Sequence, residues 1–383
     1  MTANVVPGTA GMEEDAQACF DLGLRHAAGD GVTRDAGLAV FWYRKAAEQG
    51  HVRAQFNLAA LLSGAGASAA QRQEALQWYE RAAGEGHPGA MNNLGLWYAS
   101  GNGVERDYQK ALNYFAQAAT RGDAAGQNNL GLLYNSGKGV PRSRLQAAVW
   151  FGKAARQGYA LAQHHLATLL EAGQEMKRDL PAAADWFRKA SVQGLLKAQV
   201  RLAALLQAAP ELAGEPGEAF AWLRKAALQG HTDSQWQLAC LLDAGEALRR
   251  DGREALGFYR MAAEGGHAQA QLALALRLDC GVDAARDPAG ALRWYAAAAG
   301  QGVVRAQFNL GLMLAHGDGA PADPVGACRW LALAERGGMA RAGSYRMDLE
   351  ARLSPAALVR ARQPLQLAGA ETRDGAEANP VPA

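Results

Sequence analysis

The chain has 383 residues, 49% of them hydrophobic, and its 39 Lys and Arg stand against 37 Asp and Glu. Charge so nearly balanced supplies no global field to gather nucleic acid, and no apolar run reaches the length of a membrane span. No basic region precedes an apolar stretch at the N-terminus, so no secretory signal is expected and a cytoplasmic location is the default.

Residues 1–13 are rich in Gly, Ala, Pro, Thr and acids, carry no apolar period, and are expected to be disordered. From residue 14 to 338 the sequence repeats every 36 residues: Gly50, Gly86, Gly122, Gly158, Gly194, Gly230, Gly266, Gly302 and Gly338 mark nine units in register. A unit of this size cannot bury its own apolar face, so neighbours must stack and share a core, as in an all-α solenoid.

Each unit reads as two helices. In the first, Ala90, Leu94, Trp97 and Tyr98 fall at i, i+4, i+7 and i+8, and Ala306, Leu310, Met313 and Leu314 repeat the pattern, which gives helix A one buried stripe and a free opposite face. A glycine-containing loop follows, as in Gly101-Asn102-Gly103-Val104. It lacks the preceding strand and the following Lys-Ser/Thr of a phosphate-binding loop, so turn geometry accounts for it. Helix B, such as Asp107 to Thr120, opens on an acidic N-cap shared by Asp35, Asp179, Asp251, Asp287 and Asp323. It ends at the repeat glycine, which tolerates a left-handed C′ conformation. Eight and seven residues ahead of that glycine stands an aromatic or bulky pair, from Trp42-Tyr43 to Trp330-Leu331, and two alanine columns run unbroken from Ala39 to Ala327 and from Ala46 to Ala334. Trp150 and Trp294 are expected to be buried anchors, and the alanines to set the helix spacing.

Two loops break the pattern. Repeat 2 has Ser63-Gly64-Ala65-Gly66-Ala67 with Gln71 in place of Asp, and repeat 6 has Ala208-Ala209-Pro210-Glu211 in place of the glycines, so both connections should differ. Residues 339–363 are read as capping helices: a lone A helix from Met339 to Glu350 with Arg346 in the leucine column, then a helix near 355–363 with Ser354 as N-cap and Pro355 in its first turn. The tail, 364–383, is expected to be disordered.

The run Ala-Gln/Met-x-Asn-Leu-Gly-x-x-Tyr, Gly-x-Gly-Val, Asp-x-x-x-Ala, Trp-Tyr/Phe-x-Lys-Ala-Ala-x-Gln-Gly resembles the Sel-1-like repeat, a relative of the tetratricopeptide repeat, over about residues 16 to 350. Ala90 to Gly122 and Gln127 to Gly158 match it most fully. The resemblance implies a right-handed α/α superhelical solenoid of about nine helix-turn-helix repeats, with the A helices lining a concave surface, and a role as an adaptor. One secreted branch of that family staples each repeat with a disulfide, and some members have been discussed as binding or hydrolysing β-lactams. Here Cys19, Cys240, Cys280 and Cys328 fall in four different columns, so the branch's motif is absent and reduced, mostly buried thiols are expected.

No catalytic, cofactor or metal site is assigned. His51, His87, His231 and His267 share the column after the repeat glycine and are expected to pack back on helix B. The adjacent His164 and His165 point about 100° apart on a helix and cannot chelate one ion as an i, i+4 pair does. There is no Gly-x-Ser-x-Gly elbow and no His-Glu-x-x-His.

Opposite the buried stripe of helix A, one column reads Phe56, Asn92, Asn128, His164, Val200, Trp236, Leu272 and Phe308, and its neighbour Asn57, Asn93, Asn129, His165, Arg201, Gln237, Ala273 and Asn309. Trp236, Phe56 and Phe308 are large apolar groups at positions expected to lie outside the core, and such groups are favoured partner anchors. The asparagines either serve a partner or bond between neighbouring A helices. Lys197 and Arg201, at i and i+4, resemble the basic positions with which tetratricopeptide domains grip a terminal carboxylate, which suggests an acidic peptide end held by Asn128, Asn129, Lys197 and Arg201. The expected function is a monomeric, non-enzymatic scaffold binding a protein or peptide on the concave face. Two other classes stay open: an enzyme with a cross-repeat site or a distant β-lactam-binding relative, and an exported bacterial factor engaging host proteins.

Overall fold

A computed structural model describes residues 15–245 and 251–363, and the regular structure among them is twenty α-helices and one 3-10 turn. The disorder expected at 1–13 and 364–383 lies outside the described residues. In chain order the hairpins of repeats 1 to 5 are α1 (Ala16–Ala28) with α2 (Ala36–Glu48), α3 (Val52–Leu62) with α4 (Ala69–Gly84), α5 (Pro88–Ser100) with α6 (Tyr108–Thr120), α7 (Ala124–Ser136) with α8 (Arg144–Arg156), and α9 (Ala160–Ala172) with α10 (Leu180–Val192). Repeats 6 to 9 are α11 (Leu196–Ala208) with α12 (Glu218–Leu228), α13 (Thr232–Ala244) with α14 (Gly252–Glu264), α15 (Ala268–Cys280) with α16 (Pro288–Gly300), and α17 (Val304–His316) with α18 (Pro324–Arg336). The single helices α19 (Ala340–Glu350) and α20 (Pro355–Ala361) follow. The helices form two compact units divided between Ala198 and Gln199, so that α11 runs across the division.

The ends of the helices follow from the sequence punctuation. All nine repeat glycines have φ between 85° and 95°. In repeat 1 the Gly50 N–H bonds to the Ala47 carbonyl and the His51 N–H to the Ala46 carbonyl, each at 3.0 Å, the paired bonds of a Schellman cap. At the other end, the carboxylates of Asp35, Asp107, Asp179, Asp251, Asp287 and Asp323 accept from the first free amides of helix B. The two irregular loops do differ. Ser68 and Gln71 form a reciprocal capping box that starts α4 early, and repeat 6 makes its turn through the 3-10 segment Pro210–Leu212.

The histidine column closes back on helix B through its N–H groups and has a second, unexpected role. His51, His87, His231 and His267 are the N-caps of the following A helices, each ring Nδ1 accepting from the amide three residues on at 3.1 to 3.2 Å. The repeat glycine turns the chain so sharply that one residue both closes helix B through its N–H and opens helix A through its side chain.

Packing within a hairpin rests on the second member of the aromatic pair. Tyr43, Tyr79, Phe115, Phe151, Phe187, Leu223, Tyr259, Tyr295 and Leu331 are all at most 3% exposed. They lie against a small residue of helix A: a Cβ added at Gly95 would stand 2.5 Å from the Phe115 ring, and one at Gly131 2.7 Å from Phe151. The alanine column from Ala46 to Ala334 is fully buried in every repeat. The first member of the pair sits further out, which corrects the expectation for Trp150 and Trp294. Both are only half-buried, and Lys153 places its Nζ 3.8 Å from the Trp150 ring centre, as Lys189 and Lys225 do over Trp186 and Trp222. The last A helix carries Arg346 where its predecessors carry leucine; the guanidinium pairs with Glu335 and Glu350, so the stack ends on a polar surface.

Successive repeats are joined by a glutamine that sequence reading treated as pattern only. Gln55, Gln127, Gln163, Gln199, Gln235, Gln271 and Gln307 are 3% to 6% exposed. The amides of Gln55, Gln127, Gln163, Gln235, Gln271 and Gln307 donate to a carbonyl at the end of the preceding helix B at 3.0 to 3.4 Å. Where the next helix B ends on glutamine, the side-chain oxygen accepts in turn, as from Gln157 to Gln127 and from Gln193 to Gln163, both at 2.9 Å. A buried amide is thereby satisfied on both sides.

Phe151→Ala should cost about 3–5 kcal/mol by chemical denaturation, while Trp150→Ala should cost clearly less because part of its surface is already wet. Hydrogen exchange after Phe151→Ala should accelerate in repeats 3 to 5 and not through the whole chain; uniform loss of protection would contradict nearest-neighbour stacking.

Candidate functional site

Helix A of each repeat carries the two columns singled out above, and the chemistry of the second is set by the preceding helix B. Where that helix supplies a tyrosine, the following asparagine bonds its hydroxyl: Asn93 Nδ2 donates to Tyr79 Oη at 2.9 Å, and Asn57 and Asn309 pair likewise with Tyr43 and Tyr295. Burial raises the pKa of all three phenols, so they stay neutral. Asn93 and Asn309 are thus pins between repeats.

Phe115 and Phe151 have no hydroxyl to offer, and the polar groups that follow them turn along the A helices. Asn129 Nδ2 donates to Asn92 Oδ1 at 2.8 Å, Asn128 Nδ2 to Asn129 Oδ1 at 3.3 Å, and His165 Nδ1 pairs with Asn128 Oδ1 at 2.9 Å. The line connects α5, α7 and α9. Of its members Asn92 and Asn128 are buried, at 8% and 2% exposure, while Asn129 and His165 are half-exposed. An amide oxygen facing Nδ1 requires that nitrogen to carry the hydrogen. Burial first, then the neighbouring charges of His164 and Lys197, lower the His165 pKa to about 4, so the ring is neutral at pH 7. Lys197 and Arg201 are both exposed on α11.

The first column is not free of the core, contrary to expectation. Phe308 is 4% exposed, with Tyr345 edge-on at 5.7 Å, and Leu272 is 8% exposed. Phe56 and Trp236 are half-buried, stacked on the N-cap rings of His87 at 4.5 Å and His267 at 5.1 Å. His164 and Val200 are half-buried too. A solenoid helix meets the next repeat as well as its own hairpin partner, so a face opposite the intra-hairpin stripe is not automatically a surface.

In the second unit Tyr259 is followed by Ala273, and its hydroxyl instead donates to Cys240 Sγ at 3.7 Å. Burial raises the Cys240 thiol and also the Tyr259 phenol. All four cysteines are free thiols: Cys19 and Cys328 are buried, Cys240 intermediate and Cys280 exposed. Beside Cys240 lies a cleft of about 840 Å³ bordered by Leu206, Phe220, Trp236 and Leu241. Among the described residues no group of three or more His, Cys, Asp or Glu could hold a metal ion, and no helix is long and apolar enough to cross a membrane. The glutamine column could have been found from its 36-residue recurrence on an otherwise apolar face; the cleft left no such signal beyond the broken loop of repeat 6.

Helix hairpins stacked through small residues and capped at every turn define an all-α repeat protein of the tetratricopeptide-like solenoid class. The Sel1 repeat model matches nine consecutive segments from residue 16 to residue 339, and the chain belongs to the Sel1 repeat family. Proteins of this family generally act as protein-interaction scaffolds and are typically non-catalytic. A protective antigen of uropathogenic Escherichia coli displaying an SLR fold is 32% identical, with 90% of this chain and 82% of that chain covered and a TM-score of 0.54. A Sel1 repeat protein from Oxalobacter formigenes is 28% identical, with 91% and 98% covered and a TM-score of 0.59. Among curated proteins, none matches.

The His165 imidazole gives a pH signature. Above pH 6.5 the ring is neutral folded or unfolded and its contribution to stability is complete; as pH falls toward about 4 the unfolded chain takes up a proton that the folded site refuses. Denaturation curves should therefore show about 3 kcal/mol lost over that interval through this residue, and His165→Gln should lack that share of the loss.

Proposed function

We propose that this chain is a non-enzymatic scaffold that binds a protein or peptide partner along its A helices, the concave face of the fold. The observation that carries the proposal is the hydrogen-bonded line Asn92, Asn129, Asn128, His165 across three successive A helices. Its half-exposed members, Asn129 and His165, are held in fixed orientation by buried ones, so a partner would meet a pre-ordered amide and a pre-ordered imidazole Nε2 acceptor without the entropy loss of fixing them. Lys197 adds a cation whose charge is felt at His165, and Arg201 follows one turn later on α11.

The Asn129 amide and the exposed cations Lys197 and Arg201 supply donors suited to carboxylate, so the favoured partner is a peptide with an acidic end. Asn93 and Asn309 support the A helices through their tyrosine bonds, and Phe308 supports them from the core. Phe56 and His164 present their partly open faces to the partner.

A panel of fluorescently labelled acidic peptides should bind, and Lys197→Ala/Arg201→Ala should weaken binding by about tenfold or more through loss of charge-assisted bonds. Both residues are exposed, so thermal unfolding should shift little. Unchanged affinity in the double variant would remove the acidic-end reading.

A further inference from the structure

Repeat 6 departs from the others in its loop, and the departure opens a site. The 36-residue register would start helix B at residue 216, but α12 starts at Glu218 behind Gly217, which gives no side-chain cap. Ala219 belongs to the column that runs from Ala39 to Ala327. Its eight counterparts are 0% exposed, whereas Ala219 is only half-buried and borders the cleft of about 840 Å³. Shortening one helix by half a turn has uncovered a position that the fold otherwise seals.

The cleft is bordered by Leu206, Phe220, Trp236 and Leu241, a mainly apolar wall. Trp236 is held from behind, its ring 5.1 Å from that of His267 and 5.4 Å from that of Tyr259, so its position is set before anything binds. The loop that borders the cleft between Pro210 and Gly217 is acidic: from Leu202 to Leu223 the sequence contains Glu211, Glu215 and Glu218 and no lysine or arginine, while on the far side the Arg277 cation is paired with Asp243. Glu218 is engaged, accepting from Trp222 Nε1 at 3.1 Å and from the Gly214 amide at 2.8 Å, and so fixes the loop. Glu211 and Glu215 are exposed, and neither has an ion-pair partner among the described residues.

We infer that this cleft is an anchor site for a partner segment in which a large apolar side chain is flanked by lysine or arginine. The apolar group fills the space over Ala219 and against Trp236, and the flanking cations meet Glu211 and Glu215. An acidic segment would be repelled by the two carboxylates, and a neutral one would leave them unused. The site is independent of Lys197 and of the acidic-end reading, and it calls for the opposite charge.

The test uses fluorescein-labelled octapeptides on the full chain, read by anisotropy. One carries Leu-Phe between pairs of lysine, a second replaces lysine by glutamate, and a third replaces Leu-Phe by serine. The first should bind, with affinity falling as salt rises, and should shift tryptophan emission in the wild type but not in Trp236→Phe. Glu211→Lys/Glu215→Lys should weaken it by about tenfold or more, as should Ala219→Trp, which fills the cleft without changing charge. Circular dichroism and thermal unfolding confirm that each variant is folded, and Lys197→Ala/Arg201→Ala should leave binding unchanged. Equal binding of the glutamate or serine peptide, no binding of the first, or full affinity in folded Ala219→Trp would overturn the inference.

Discussion

The insertion of one bulky side chain per hairpin, an aromatic ring in all repeats but those of Leu223 and Leu331, into a notch where helix A carries only glycine or alanine is the contact on which the structure depends. Phe115 against Gly95 and Phe151 against Gly131 leave less than 3 Å for an added Cβ, so the two helices lie as close as their backbones permit. That closeness makes the alanine columns obligatory, because a larger side chain in either column would force the helices apart and empty the notch. It also explains why 36 residues hold register so strictly. A shift of one position would turn the ring out of its notch and bring a larger neighbour in.

Polar groups follow the same economy. A helix end buried between repeats would strand amides and carbonyls, and the chain satisfies them with side chains that each serve two elements. The repeat histidine closes one helix with its N–H and opens the next with its ring. The buried glutamine takes a carbonyl from the helix before it and, where it can, a glutamine amide from the helix after it. These devices make the seam between repeats as specific as the core of each hairpin, and they leave little polar capacity for anything else.

Both proposed sites lie where the economy is relaxed. Tyrosine in helix B commits the next asparagine to structure. Phenylalanine in repeats 3 and 4 releases it, and the freed amides link up with His165 along the A helices. In repeat 6 the relaxation concerns the backbone, and the shortened α12 leaves an alanine open beside a half-buried tryptophan. Both candidate surfaces are thus local failures of the repeat to repeat.

The sequence by itself determined the helices and their ends, because caps, glycines and the apolar period act over a few residues and need no partner distant in the chain. Asp107, Gly122, Ser354 and Pro355 could be assigned roles without coordinates for that reason. It also marked the loops of repeats 2 and 6 as irregular. Tertiary structure alone decided which face of helix A is solvent. Phe308, Asn92 and Asn128 look outward when one hairpin is considered and become interior when the next repeat covers them. Packing of Phe151 against Gly131 within the hairpin moved the buried anchor from Trp150, and the sharp turn at the repeat glycine made N-caps of histidines read as packing residues; a local apolar period encodes neither.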